Sequence, residues 1–356
     1  MYRVSIISKT IIIVFIVSLL SLVTGCQRER SSSEGLEKVV VQLGWIINAS
    51  YAPIAVAIVN GYYLEEGLEI ELRPGGPSGA SFLNATHLVA QDSSVDIAVD
   101  NAITTFLRAK AMGAKEDNLF KVRLIAAFWQ ENPMGFLVRE DSGLNSLKDL
   151  ANRKPDGSRF TIGATAGSIV LQPLAKYINV PYEDMSIIQT GADAVPFLAG
   201  LVDALLSFWT TQTFEAEIAN IPWRFLPINE IPGMSQPAMV VMVSDNTLMN
   251  RSEMLEKWLR ATIRGVNYTI ENPESAARAV LTVGGNLLNI EQEQWIINKS
   301  LPLYRNNDFC DMIGYLNATQ IMKFVRTLYE FGEIPRMLYV EELIDFSILN
   351  RIYEER

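Results

Sequence analysis

Histidine and cysteine are nearly absent from this chain, and their scarcity removes whole classes of chemistry. His87 is the sole histidine, and Cys26 and Cys310 are the only thiols. Zinc ribbons and paired-thiol redox motifs need clustered cysteines and are excluded. A Ser-His-Asp triad or a multi-histidine metal centre would rest on His87 alone. That residue lies in Ser81-Phe82-Leu83-Asn84-Ala85-Thr86-His87-Leu88-Val89, which reads as an ordinary amphipathic helix carrying a structural histidine. Positive charge is also short, with 30 Lys and Arg against 40 Asp and Glu. Binding nucleic acid requires clustered cations that displace counterions, so no nucleic-acid partner is expected. After the first 25 residues, no apolar run reaches the roughly 20 residues of a spanning helix.

What is present begins at the N terminus. Arg3 and Lys9 form a short cationic start, and Thr10–Gly25 is a nearly unbroken apolar run of 16 residues. It ends in Val23-Thr24-Gly25-Cys26, small residues immediately before a cysteine. The pattern resembles the lipobox of bacterial lipoproteins, in which the thiol is acylated and the chain is cut before it. Residues 1–25 are thus expected to be a signal peptide, and Cys26 a lipid anchor outside the cytoplasm. An uncleaved membrane anchor is the alternative. Cleavage leaves 331 residues with 28 basic and 40 acidic side chains, since Arg3 and Lys9 leave with the leader. Cys310 then has no partner, and no intramolecular disulfide forms. Residues 26–37, polar and aperiodic, read as a flexible leash.

Strand and helix signals then alternate. Val39–Leu43 is a strand, and a helix follows over Ala52–Asn60, with Pro53 in its first turn and Gly61 past its end. Leu68–Leu72 alternates as a half-buried strand until Arg73-Pro74-Gly75-Gly76-Pro77 breaks it, and Val95–Val99 is a third strand. Strand, helix, strand, helix, strand marks a parallel α/β layer. The alternation restarts at Arg159–Ala164, a helix near Ile169–Ile178, and strands at Ser186–Gln189 and Ala204–Phe208. Leu124–Gln130 and Phe136–Val138 read as the crossing between two lobes, and Pro237–Ser244 as the return. From Ser252 onward helices dominate, with Leu255, Trp258, Leu259, Ile263, Val266 and Ile270 on one core-facing side. The expected organisation is lobe 1 over 38–128, lobe 2 over 129–231, and the rest of lobe 1 with C-terminal helices over 232–356. Two such lobes joined by two crossovers leave a cleft.

Ligands of open parallel sheets sit at the carboxyl ends of strands. The sequence places Trp45, Asn48 and Tyr51 after the first strand, and Asp100 and Asn101 after the third. Thr165-Ala166-Gly167-Ser168 follows the first strand of the second set, with small residues suited to close backbone approach and an N-cap. Trp209, Thr210 and Gln212 follow its last strand, and Trp129 and Gln130 lie in the crossing. With Thr165 and Ser168 taken from that turn, these twelve residues make a cleft rich in indole, phenol, amide and hydroxyl groups and poor in Lys and Arg. Flat rings stack on such surfaces, and amides and hydroxyls select among heterocycles. A small anion would instead demand an Arg or a helix N-terminus. Arg73–Pro77 lacks the Lys-Ser/Thr ending of a P-loop, and no catalytic or metal-binding set emerges.

Val41-Gln42-Leu43-Gly44-Trp45-Ile46-Ile47-Asn48-Ala49-Ser50-Tyr51-Ala52-Pro53 resembles a known family. Gly61–Ile70, Leu72–Pro77, Pro196–Ala204, Trp209–Gln212, Ala261–Gly265 and Glu271–Ala276 extend the similarity over nearly the whole mature chain. The family comprises substrate-binding lipoproteins of ABC importers in the thiamine-pyrimidine-precursor group, related to riboflavin, sulfonate and nitrate binders. The resemblance implies a type II periplasmic-binding-protein fold: two lobes, each a mainly parallel sheet flanked by helices, with two hinge crossovers. It also implies a monomeric receptor without a cofactor that closes on one small molecule and presents it to a permease and its ATPase. By position, Trp45 and Asn48 match residues turned toward the ligand. Tyr51 departs from the pattern: pyrimidine binders often carry histidine there and flavin-type relatives an aromatic, so both ligand classes stay open.

Three other readings compete. One is an aliphatic sulfonate or nitrate receptor. Another is an enzyme like the related branch that makes the thiamine pyrimidine, which would need a clustered-cysteine motif and a cofactor lysine. Pro232–Ala238 has no cysteine and Ala52–Asn60 no lysine, so a non-enzyme is expected. The third is a sensor ectodomain, which would need a second membrane or signalling segment.

Overall fold

The run Lys38-Val39-Val40-Val41-Gln42-Leu43 is β-branched and apolar without a breaker, and it becomes strand β1 (Glu37–Leu43), buried throughout from Val39 onward. Burial of consecutive residues on both faces is what a central strand covered by helices requires. The computed structural model describes residues 35–354 apart from 79–80, 102, 114–119, 286 and 306–311. The expected signal peptide, Cys26, most of the leash and Cys310 lie outside the described residues.

Two five-stranded sheets organise the chain. The first has the order β2-β1-β5-β12-β6 and holds β2 (Leu68–Arg73), β5 (Ile97–Asp100), β6 (Val122–Trp129) and β12 (Ala238–Ser244) beside β1. The second has the order β11-β7-β10-β8-β9 and is built from β7 (Met134–Arg139), β8 (Thr161–Ala164), β9 (Ser186–Gln189), β10 (Ala204–Phe208) and β11 (Trp223–Pro227). The short strands β3 (Gly76–Ser78) and β4 (Ser81–Leu83) pair antiparallel in a separate two-stranded sheet.

Each sheet is mixed, and the crossings explain how. β12 pairs antiparallel with both β5 and β6, while β1 is parallel to β2 and β5. In the second sheet β7 is antiparallel to β10 and β11, while β8 is parallel to β9 and β10. The reversed strand in each sheet is therefore the one by which the chain enters from the other. The remaining four strands in each sheet point their carboxyl ends toward the junction where β6 hands over to β7, so both sets of strand ends converge there.

Helices cover the sheets. α1 (Ala52–Val59) is apolar nearly all round and buried over its first six residues, with Pro53 in the first turn and Gly61 at φ 77° past its end. α2 (Leu171–Ile178) and α3 (Gln212–Ile218) flank the second sheet. α4 (Ser252–Glu271) buries Leu255, Trp258, Leu259, Ile263 and Val266 against the first, with Ile270 partly buried. α5 (Pro273–Gly284), α6 (Ile290–Ser300), α7 (Ala318–Glu330) and α8 (Ser347–Glu354) follow. Among the described residues no helix is long and apolar enough to cross a membrane.

Two local expectations need correction, and one strand went unread. α2 begins at Leu171, not Ile169, and Ser168 does not cap it. Ile169 and Val170 form a preliminary turn, and Ser168 Oγ accepts from the Val170 N–H at 3.4 Å. The segment after β2 is not simply a break, because Gly76 and Pro77 enter the β3–β4 pair. β11 carries no clear sequence signal, and it lies at a sheet edge where Pro227 costs no interior ladder bond.

Candidate functional site

Trp45 stands at the carboxyl end of β1, and its backbone is held on both sides. Its N–H donates to the Tyr51 hydroxyl at 3.0 Å, and its carbonyl accepts from the Gly75 N–H at 2.9 Å. Two glycines allow this. A Cβ on Gly75 would fall 2.3 Å from the Leu43 carbonyl oxygen, and one on Gly44 would fall 2.4–2.8 Å from the carboxyl atoms of Asp100. The Asp100 carboxylate thus lies directly over the backbone that precedes Trp45. Burial raises the pKa of the Tyr51 phenol and the Asp100 charge adds to the effect, so Tyr51 is protonated at neutral pH. Tyr51 is 1 % exposed, which makes it the support behind Trp45 and not part of the cleft surface.

Asn48 is partly used. Its Oδ1 accepts from the Ser50 N–H at 2.9 Å and caps the 3-10 turn Ala49–Tyr51 that leads into α1. Asn101, beside Asp100, has a buried Oδ1 with no hydrogen-bond partner.

From the second sheet, Trp209 follows β10 and is fixed by its N–H to the Pro133 carbonyl at 2.9 Å and by an edge contact with Phe225 at 6.1 Å. Its indole packs against the core that otherwise gathers β1, β5, β6, β12 and α4, so it spans the junction. Its Nε1 is buried without a partner. Thr165 is exposed and Ser168 half-buried at the end of β8.

Four of the expected residues are committed elsewhere. Trp129 is wholly buried in the core, and Thr210 is 2 % exposed. The Gln130 amide donates to the Ala127 and Tyr315 carbonyls, both at 3.0 Å. The Gln212 amide accepts from the Phe208 N–H at 2.9 Å and donates to the Ala192 carbonyl at 2.7 Å. Amides satisfied in this way, buried for Gln130 and half-buried for Gln212, fix the backbone.

A cavity of about 410 Å³ opens at the crossing, lined by Gln130, Glu131, Asn132, Met134, Trp209, Pro227, Asn229, Pro302, Leu303 and Arg305. Sequence reasoning found only Gln130 and Trp209 of these. Glu131 accepts from Ser235 Oγ at 2.8 Å and from Asn229 Nδ2 at 3.1 Å, which fixes its carboxylate in the wall. Arg305 is exposed and has no ion-pair partner among the described residues. The run Gln130–Asn132 at the expected crossing was the available signal. His87, read as structural, is exposed and meets Phe120 edge-on at 6.2 Å.

This architecture, with two mixed α/β sheets whose strand ends face one junction, is the two-lobed periplasmic-binding-protein fold. The nitrate-binding protein NrtA from Synechocystis shares it, with a TM-score of 0.65 over 90 % of this chain and 89 % of that one at 12 % identity. The chain belongs to the NMT1/THI5 like family, whose pattern matches residues 48–276. It is 26 % identical over 271 residues to a 4-amino-5-hydroxymethyl-2-methylpyrimidine phosphate synthase of Legionella pneumophila, covering 75 % of this chain and 80 % of that one. It is 25 % identical to the formylaminopyrimidine-binding protein of Halalkalibacterium halodurans, covering 72 % and 74 %. The riboflavin-binding protein RibY of Chloroflexus aurantiacus is 22 % identical, covering 76 % and 74 %. Named synthases and named binding proteins thus both occur among its relatives.

Proposed function

We propose that this chain is a solute receptor of an ABC importer, held outside the cytoplasm by lipid on Cys26, that captures a flat nitrogen heteroaromatic nutrient by hinge closure. The closing units are residues 38–128 with 232–356 on one side and 129–231 on the other. The ligand is a thiamine pyrimidine precursor or a flavin. The observation that carries this reading is that Trp45 and Trp209 end strands of different sheets, yet pack against one core. Two indoles facing one junction offer stacking surface from both lobes only when the lobes are together, so ligand binding favours closure. The buried, unpartnered Trp209 Nε1 and Asn101 Oδ1 supply a donor and an acceptor for a ring edge. The relatives named for formylaminopyrimidine and riboflavin support the same ligand classes.

The enzyme reading has less support, although some relatives are named synthases. Pro232–Ala238 holds no cysteine and α1 no lysine, so the related branch's cysteine cluster and cofactor lysine have no counterpart. A second binding reading, an aliphatic sulfonate or nitrate, draws on one observation: Arg305 lines the crossing cavity without an ion-pair partner among the described residues.

Thermal unfolding of residues 27–356 against aminopyrimidines, thiamine, riboflavin, taurine and nitrate tests the choice. A ligand at a hundredfold excess over its Kd adds about 2.7 kcal/mol, worth several degrees. Stabilisation by one flat heterocycle is expected. Stabilisation by taurine or nitrate alone would move the protein to the anion class, and turnover of the bound ligand would make it an enzyme. Trp45→Ala should abolish most binding while leaving the unfolding temperature of the free protein nearly unchanged.

A further inference from the structure

One buried carboxylate has its only side-chain hydrogen bond among the described residues in the first-strand loop. Glu293 of α6 is 2 % exposed, and its Oε2 accepts from the Ala49 N–H at 2.6 Å across 244 positions of sequence. Ala49 opens the 3-10 turn that follows Trp45–Asn48. The first N–H groups of a helical turn have no internal acceptor, so each must find one elsewhere. Asn48 takes the Ser50 N–H, and Glu293 takes that of Ala49.

The Ala49 that Glu293 bonds belongs to an apolar cluster with Ala52, Val56, Ala277, Val280 and Ile297. Of the elements packed on α6, α5 carries the ionisable groups Glu274 and Arg278, which are exposed and paired with each other at 3.6 Å. The turn carries Tyr51, whose hydroxyl accepts from Trp45, and the 3-10 turn Leu301–Leu303 and α1 carry none. On α6 itself, Glu291 is exposed. No cation pairs with Glu293 among the described residues.

The other side of α6 meets the second sheet's elements. The Trp295 ring lies 6.0 Å from Phe214 and 6.5 Å from Trp223, and its Nε1 donates to Thr213 Oγ1 at 3.2 Å. Lys299 Nζ sits 4.5 Å from the Trp295 ring centre and 5.3 Å from that of Trp223. A single helix therefore grips the Trp45 loop through one residue and the opposite lobe through another.

We propose that Glu293 is the positioning residue of the Trp45–Tyr51 loop, and that gain or loss of its proton sets how firmly α6 ties that loop to the second lobe. The consequence for ligand binding rests on the receptor reading above; the loop contact does not. The ionised carboxylate is a strong acceptor for the Ala49 N–H and the protonated one a weak acceptor. Burial pushes the Glu293 carboxyl up to about 7, against the lowering effect of the Ala49 N–H, so both forms are populated near neutrality. Acidification therefore loosens the loop.

The test is the amide proton shift of Ala49 in the chain of residues 27–356, labelled with 15N-alanine and titrated from pH 5 to 9, in wild type and Glu293→Gln. Glutamine keeps an acceptor oxygen at the same reach but cannot titrate. Wild type is expected to show one titration with a midpoint near 7, absent from Glu293→Gln. An Ala49 amide that does not move, or one that moves equally in both proteins, overturns the proposal. Riboflavin binding, read by quenching of flavin fluorescence, supplies the second readout. Its Kd should rise several-fold from pH 8 to pH 5.5 in wild type and stay flat in Glu293→Gln; the same pH profile in both would overturn the coupling to binding. If riboflavin binds neither protein, the flavin assignment fails while the amide titration still decides the role of Glu293.

Discussion

Gly44 and Asp100 show how little room the candidate site has at the level of single atoms. A methyl group at residue 44 would overlap the Asp100 carboxylate, whose atoms lie 2.4–2.8 Å from the Cβ position. Gly44→Ala is therefore expected to displace Asp100 and cost about 1–3 kcal/mol, measurable by urea unfolding, with weaker ligand binding as well. Glu293 gives a prediction of opposite sign. Its carboxyl rises from 4.5 to about 7 on folding, so between those values the folded protein holds a proton that the unfolded chain has released. The stability this proton confers is complete below pH 4.5 and is lost as the pH climbs to about 7. Each pKa unit is worth about 1.4 kcal/mol, which bounds the loss at a few kcal/mol. Glu293→Gln avoids that loss. Its Tm should exceed wild type by a few degrees at pH 8 and approach it near pH 4 in differential scanning calorimetry.

At the scale of elements, α6 ties the first-strand loop to α3 and β11 away from the crossings. Trp295→Ala removes two ring contacts and the bond to Thr213. The expected result is a larger radius of gyration of the ligand-free protein by small-angle scattering. An unchanged radius would mean that the aromatic contact does not hold the halves together. The sequence made α1 legible through its apolar run bracketed by Pro53 and Gly61, and the first strands legible through β-branched clustering. β11 was hidden because Trp223–Pro227 mixes a charge and a proline with rings and is only partly buried, as a sheet edge permits. The placement of Trp45 and Trp209 just past strand ends was legible because strand ends are read one strand at a time. The structural use of Gln130 and Gln212 was not, since the carbonyls they bind belong to Tyr315 and Ala192, far off in sequence. The crossing cavity was hidden for the same reason, being assembled from segments as distant as Glu131 and Arg305. Glu293 did leave a trace: it shares helical spacing with Ile296, Ile297 and Ser300, an acid on an otherwise buried face.

For the whole molecule, the proposed anchor and the proposed closure make separate predictions. Cys26→Ser should move the protein from membrane to soluble fractions, and persistence in the membrane would favour an uncleaved N-terminal span. The strand order of the first sheet carries a consequence for how the chain is made. β12 lies between β5 and β6, yet it is synthesised more than a hundred residues after both. Until residue 244 has emerged, β5 and β6 each present an unpaired, apolar edge. The strands of the second sheet are all complete by residue 227, while the first sheet still lacks β12. The sheet begun first along the chain is thus finished last, and its two waiting edges stay open to wrong pairing until β12 arrives.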